Sequence, residues 1–221
     1  MKICIFDTET TGLPVDRKIP GWKTKNNWPH IVSISWMILD WDTNKVIETK
    51  SYIIYPHDWV IPQESTNVHG ITQGHAIAEG YDLTTVLHEF IHLEYDILVA
   101  HNMEFDYNVI LYALNWDIVG SSYTSLPSPK ELFCTARSSK DLCKIPSSYY
   151  NGYKMPTLSE LYTFVTRKKP NKSELHNSLY DVQLLTEVVQ ISPEIRIKLG
   201  LLAKTPIINN VGEKRDRILH L

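Results

Sequence analysis

The stretch ICIFDTETTGLP, residues 3–14, decides how this chain is read. Its first four residues, Ile3 to Phe6, are apolar and suit a strand buried on both faces, with Asp7 at the point where that strand meets solvent. Successive side chains of a strand alternate between faces, so Asp7 and Glu9 project together into one small volume. Like charges placed there repel. Two accounts fit the stretch by itself: a solvated strand end entering a Thr-Thr-Gly turn, with Gly12 supplying a positive φ, or hard oxygen ligands converging on a divalent cation.

Outward from this strand, β-branched and aromatic residues are frequent over Ile31 to Leu39 and Lys45 to Ile54, with a turn at Asp40 to Asn44. These runs predict two further strands, antiparallel after the first connection. A helical period runs from Leu83 to Glu94 behind Asp82 as N-cap, DILVA at 96–100 reads as a buried strand, and Met103 to Leu114 returns to the helical period. After a Ser/Pro-rich loop over 120–130, ELFCTA at 131–136 predicts a fifth strand, and 157–165 and 178–190 predict helices. Strands first, then helices alternating with strands, indicate an α/β layer fold with a mixed sheet. The tail from Lys204 to Leu221 is largely polar and charged, and reads as an extension of a domain over residues 1–203.

A chain of 221 residues fits one domain, and 43% hydrophobic with 21% charged residues excludes disordered, collagenous and membrane classes. No apolar run approaches the roughly 18–20 residues of a membrane span, and the N-terminus meets an acid too early for a signal peptide. An intracellular, cytoplasmic protein with no membrane partner is expected. Cys4, Cys134 and Cys143 lack a C-x-x-C pair, which argues against a zinc site and a disulfide framework. The net charge of -3 argues against a large footprint on a nucleic-acid duplex, and leaves room for a small acidic site that recruits its own cations.

Two more segments place acids where acids are costly. In HNMEFDYNVILYAL, residues 101–114, Asp106 shares a helical stripe with Val109, Ile110 and Ala113, and no Lys or Arg lies between residues 51 and 129 to pair with it locally. Like Asp7 it follows a predicted strand end, where ligand sites of open α/β sheets gather. In SELHNSLYDVQLLTEVV, residues 173–189, Asn177 or Ser178 is the natural N-cap, which puts Asp181 in the first turn or so of a helix. His176 converges with Asp181 only from the loop before the cap, and a loop histidine beside an acid suits proton transfer at neutral pH.

The order Asp-x-Glu, Asp, His-x4-Asp, set in DTETTG, HNMEFD and HNSLYD, resembles the His-containing (DEDDh) branch of the DEDD superfamily of 3'-to-5' exonucleases, over roughly residues 2–190. The sister branch carries a Tyr at the position of Asn177. The resemblance implies a ribonuclease H-like mixed sheet flanked by helices, and phosphodiester hydrolysis with two Mg²⁺ or Mn²⁺ ions. Asp7, Glu9 and Asp181 would hold the ion that activates water, Asp7 would bridge to a second supported by Asp106, and His176 would take the proton of the water. It further implies Thr10 and Leu13 near the terminal sugar and base, Asn102 and Phe105 near the scissile end, and His69 of VHGIT in the substrate site.

Stacking of single-stranded bases needs little basic charge, and Trp22, Trp28, Tyr149, Tyr150 and Tyr153 in predicted loops are candidates for it. Arg167, Lys168, Lys169 and Lys172 form either a phosphate-facing cluster or a solvated charged turn. Two departures from the family stand out: a long first connection, Val15 to His30, rich in Lys, Asn and Trp, and Val182 where a small Ala is common. The leading expectation is an exonuclease acting on the 3' ends of single-stranded or frayed DNA, as in polymerase proofreading, with a DNA polymerase as candidate partner. An exoribonuclease trimming RNA ends and a polymerase-associated interaction module are the alternatives.

Overall fold

The computed structural model describes residues 1–118, 120, 122–126 and 131–200. Strands β1 (Lys2–Thr10), β2 (Ile31–Asp40), β3 (Lys45–Ile53), β4 (Ile97–Ala100) and β5 (Glu131–Cys134) form one sheet in the order β3-β2-β1-β4-β5. β1, β2 and β3 pair antiparallel, whereas β4 runs parallel to β1 and β5 parallel to β4. This is the expected mixed sheet. Between β3 and β4 lie α1 (Gln63–His69), α2 (Gln73–Glu79) and α3 (Leu83–Ile91). After β4 comes α4 (Met103–Tyr112), which continues as a π-helical turn over Ala113–Asp117. After β5 follow the short α5 (Thr135–Ser138) and α6 (Lys140–Cys143), then α7 (Leu158–Thr166), α8 (Ser178–Ile191) and α9 (Pro193–Lys198).

Alternation along β1 sorts its side chains between two cores. Cys4 and Phe6 pack with Phe90 of α3 and Val109 and Ile110 of α4, while Ile3 and Ile5 pack with Leu161 of α7 and Val182, Leu185 and Val189 of α8. The period carries Asp7 and Glu9 onto the α8 side of the sheet. β1 pairs with β4 only over Ile3–Ile5, but with β2 through Thr10, so it outruns its parallel neighbour. The strand therefore does not stop at Asp7: β2 continues to pair with it, setting Asp7 opposite Ser35 and Glu9 opposite Ser33. A bulge after Glu9 leaves Val32 unopposed and bends the strand end, as bulges beside active sites commonly do.

Helix caps follow the sequence closely. Asp82 accepts a hydrogen bond from the Thr85 N–H, and Thr157 and Glu160 form a capping box on α7. α3 ends at Ile91 rather than Glu94, with His92 as its C-cap. The helices α1 and α2 were not expected, because seven residues with only Ser65 and His69, or Ala76, buried give no apolar period. All three cysteines are free. Among the described residues no helix is long and apolar enough to cross a membrane. Part of the Ser/Pro-rich loop and the whole extension from Lys204 lie outside the described residues.

Candidate active site

Ser33 and Ser35, cross-strand from Glu9 and Asp7, both place their Oγ against the Oγ of Ser178, at 3.0 and 2.8 Å. Ser178 is the first residue of α8, so this buried hydroxyl cluster fixes the N-terminus of that helix over the two carboxylates. Asn177 is the N-cap, its Oδ1 accepting from the N–H groups of Leu179 and Tyr180. Asp181 then falls in the first turn, and His176 sits in the loop before the cap with φ 64°, a left-handed conformation unusual for a β-carbon residue. That is the placement in which the two can converge. Side-chain ligand atoms of Glu9, His176 and Asp181 lie within 4.8 Å of one another.

Asp106 arrives from the other side. Past the end of β4 the free edge of β1 offers the Thr8 N–H, which donates to Asp106 Oδ1 at 3.1 Å, and the Thr8 hydroxyl donates to the same oxygen at 2.8 Å. The acid for which the sequence offers no local Lys or Arg is held by hydrogen bonds. Asn102, the N-cap of α4, is left-handed at φ 73°, so both helices that bring an aspartate begin after a left-handed residue.

Asp7, Glu9, Asp106, His176 and Asp181 all line one cleft of about 670 Å³. Burial, then repulsion from Asp106, Glu9 and Asp181, pushes the Asp7 carboxyl far above the usual carboxylate range. Burial, then Asp181 and Asp106, raises Glu9 to about 9. Burial also raises Asp106, to about 7 against the pull of the Thr8 hydrogen bonds, and Asp181 to about 6 against the pull of His176. No described lysine or arginine offsets these charges. Asp181 Oδ1 is buried with no hydrogen-bond partner among the described residues. A hard-oxygen donor set with an orphaned lone pair fits a divalent cation, and the imidazole of His176 is close enough to serve either as a ligand or as a base.

The five residues expected to touch substrate also line the cleft. Leu13 is 73% exposed, which removes core packing as its explanation. Phe105 is half-buried against Trp28. The Thr10 hydroxyl donates to the Gly12 carbonyl, in a turn where Gly12 takes φ 149°. His69 is buried, its Nδ1 accepts from the Ile71 N–H, and its Nε2 has no hydrogen-bond partner of normal geometry among the described residues. Burial lowers the His69 pKa, and because Nδ1 accepts from Ile71 the ring proton lies on Nε2.

One stacking candidate is corrected, and the basic cluster takes the second of its two readings, a charged turn away from the cleft. Trp28 is 4% exposed and belongs to the core, where its Nε1 donates to the Ile19 carbonyl, so it offers no stacking surface. Trp22, Tyr149, Tyr150 and Tyr153 are exposed. Arg167, Lys168, Lys169 and Lys172 do not line the cleft; Lys168 pairs with Glu187, and Arg167 lies over Phe164.

Sequence reasoning missed the groups that hold the site: Thr8, the three serines, and His101. His101 is largely buried, with Nε2 2.9 Å from the Pro156 carbonyl and Nδ1 3.1 Å from the Thr135 hydroxyl. Burial lowers it to about 4, so it stays neutral and ties the loop before α7 to the start of α4. Its neighbourhood with Asn102 in HN was the available signal; nothing marked Thr135 or Pro156.

A profile of the exonuclease family RNase T matches residues 4–189. Exonuclease X in complex with 5'-overhanging duplex DNA has the same fold, with 22% identity, TM-score 0.57, and 90% of this chain and 93% of that chain covered. E. coli exonuclease I in complex with a dA16 oligonucleotide gives 15% identity and TM-score 0.63 over 90% of this chain, which spans only 42% of that enzyme. The nuclease domain of 3'hExo, a DEDDh family member, bound to rAMP gives 14% identity and TM-score 0.62, with 90% and 93% covered. By sequence the chain matches no curated protein.

Proposed function

The chain belongs to the RNase T exonuclease family, as a 3'-to-5' exonuclease of the DEDDh type, and from that premise we propose that its substrate is the 3' end of single-stranded or frayed DNA. The observation that carries the reading is the meeting of Asp7, Glu9, Asp106, Asp181 and His176, from three distant segments, in one cleft. The four carboxylates would hold two Mg²⁺ or Mn²⁺ ions, which would supply charge to stabilise the attacking and leaving oxygens of an in-line displacement. His176 accepts a proton from the attacking water from its loop position beside Glu9 and Asp181. The water oxygen bonds to phosphorus as the bond from phosphorus to the 3' oxygen breaks, freeing a nucleoside 5'-monophosphate. Thr8 orients Asp106, and the Ser33–Ser35–Ser178 cluster orients the start of α8. Leu13 and Phe105 give the cleft apolar wall for the terminal base, and Asn102, Thr10 and His69 lie around it.

Likeness to exonuclease X and exonuclease I, each in complex with DNA, favours the DNA reading. Likeness to a domain bound to rAMP favours a second reading, trimming of RNA 3' ends. With DNA as substrate, a DNA polymerase is the candidate partner and proofreading the corresponding role. The test is incubation of 5'-labelled single-stranded DNA and RNA with wild type and Asp7→Asn, with Mg²⁺ or chelator. A ladder shortened from the 3' end, dependent on metal and absent in Asp7→Asn, is expected on DNA. A ladder on RNA alone selects the second reading, and none on either polymer overturns both.

A further inference from the structure

The cleft that must take a polyanion is walled by four acids, and metal ions at the scissile phosphate leave the remaining phosphates of the strand without a counter-charge. Among the described residues lining that cleft, one is a lysine or arginine: Arg17, from the long connection between β1 and β2. We propose that Arg17 is a substrate-binding residue, gripping the phosphodiester backbone upstream of the scissile bond, and that the 15–30 connection exists to present it; this rests on the exonuclease reading above.

The connection is fixed in place. Val15 N–H donates to the Asn27 carbonyl, Asp16 N–H to Asn27 Oδ1, and Asn27 Nδ2 back to the Asp16 carbonyl, so the residue before Arg17 is clamped on both sides. Beyond it, the Ile19 N–H donates to the Asp16 carbonyl and Trp28 Nε1 to the Ile19 carbonyl. The far end lies directly on α4: Gly21 N–H donates to Asn108 Oδ1 and Trp116 Nε1 donates to the Gly21 carbonyl, and a Cβ at Gly21 would collide with the Asn108 carbonyl. A glycine is needed there for the close approach itself.

On this clamped backbone the Arg17 side chain is exposed, with its guanidinium carbon 5.7 Å from the centroid of the Phe105 ring. Phe105 in turn rests on buried Trp28, at 5.9 Å between centroids. The stack holds a planar cation at the cleft while leaving its N–H donors unused, because Arg17 makes no ion pair with a described carboxylate. The other cations near the site are spent: Arg137 pairs with Glu104 at 3.4 Å, and Lys154 with Glu160 at 2.7 Å. A guanidinium with a free fork is matched to phosphate oxygens.

Steady-state kinetics of wild type, Arg17→Ala and Arg17→Lys test this on two substrates: a twelve-residue single-stranded oligodeoxynucleotide, and thymidine 5'-monophosphate p-nitrophenyl ester, which has no phosphate beyond the scissile one. On the oligonucleotide, Arg17→Ala should raise KM about tenfold, with Arg17→Lys partly restoring it. The slope of log KM against log salt should fall by about 0.7, the loss of one single-strand phosphate contact. On the ester, the KM ratio between variant and wild type should be near one. Equal KM values on the oligonucleotide, or the same loss on both substrates, would overturn the proposal while leaving the exonuclease reading intact. A wild type inactive on both substrates would overturn that reading and the proposal with it.

Discussion

The two helices that deliver aspartates to the cleft treat them differently. On α4, Asp106 is 3% exposed and its Oδ1 already accepts two hydrogen bonds from Thr8. On α8, Asp181 keeps a buried oxygen with no partner among the described residues, beside Glu9 and His176. Protonation does not divide along the same line: Thr8 holds Asp106 at about 7 and His176 holds Asp181 at about 6 against burial, whereas Glu9, crowded by Asp181 and Asp106, rises to about 9. One side of the cleft is thus satisfied by the protein and keeps its shape unaided. The other side presents an Asp181 oxygen that no described protein donor meets, and there the chemistry should concentrate.

The sharpest way to break this comparison is to neutralise each side. Asp181→Asn should cut the single-turnover rate on labelled single-stranded DNA about a thousandfold with the fold retained by circular dichroism. Wild-type activity in that variant would remove the demand for charge from the α8 side. His176→Ala should lower the rate by roughly a hundred- to a thousandfold with Mn²⁺ affinity unchanged. A matching loss of affinity would make His176 a ligand rather than the base. Thr8→Val, which deletes the hydroxyl but keeps the backbone donor, should lower activity about tenfold and destabilise the protein by about 1–2 kcal/mol in urea titration. No change in either would mean that Asp106 is not held as described.

A last expected effect is on stability against pH in the absence of metal. Glu9, Asp106 and Asp181 have folded pKa values of about 9, 7 and 6, all above their ordinary values of 4.5, 3.8 and 3.8. In the window between the ordinary and folded values the native state binds more protons than the unfolded state, so stability is present at low pH and lost as pH rises. Melting of chelated protein should therefore fall in temperature from about pH 5 to 9, and Mg²⁺ should restore more at the upper end. A flat or rising profile for the chelated protein would deny the crowding of carboxylates.

Much of this was legible in the sequence, because short-range rules govern it. Alternation through Ile3, Ile5, Asp7 and Glu9, the Asp82 and Asn177 caps, and the position of Asp106 on an apolar stripe are local patterns that survive folding. What was hidden is non-local. Thr8 meets Asp106 across 98 residues and Ser33 meets Ser178 across 145, so neither pairing leaves a mark on a neighbouring residue. β1 running past Asp7 depended on how far β2 would pair with it. Trp28 looked like a loop aromatic because its burial comes from Phe105 and the core beneath, far along the chain. Arg17 was invisible for the same reason: only the folding of its loop onto α4 brings it to the cleft.

Titration of free Mn²⁺ by electron paramagnetic resonance, with wild type and Asp7→Asn at equal concentration, reaches the centre of the account, the claim that these carboxylates gather to hold divalent ions. Wild type should take up about two ions per chain and the variant at least one fewer. Uptake that is absent in the wild type, or identical in the two proteins, would contradict it.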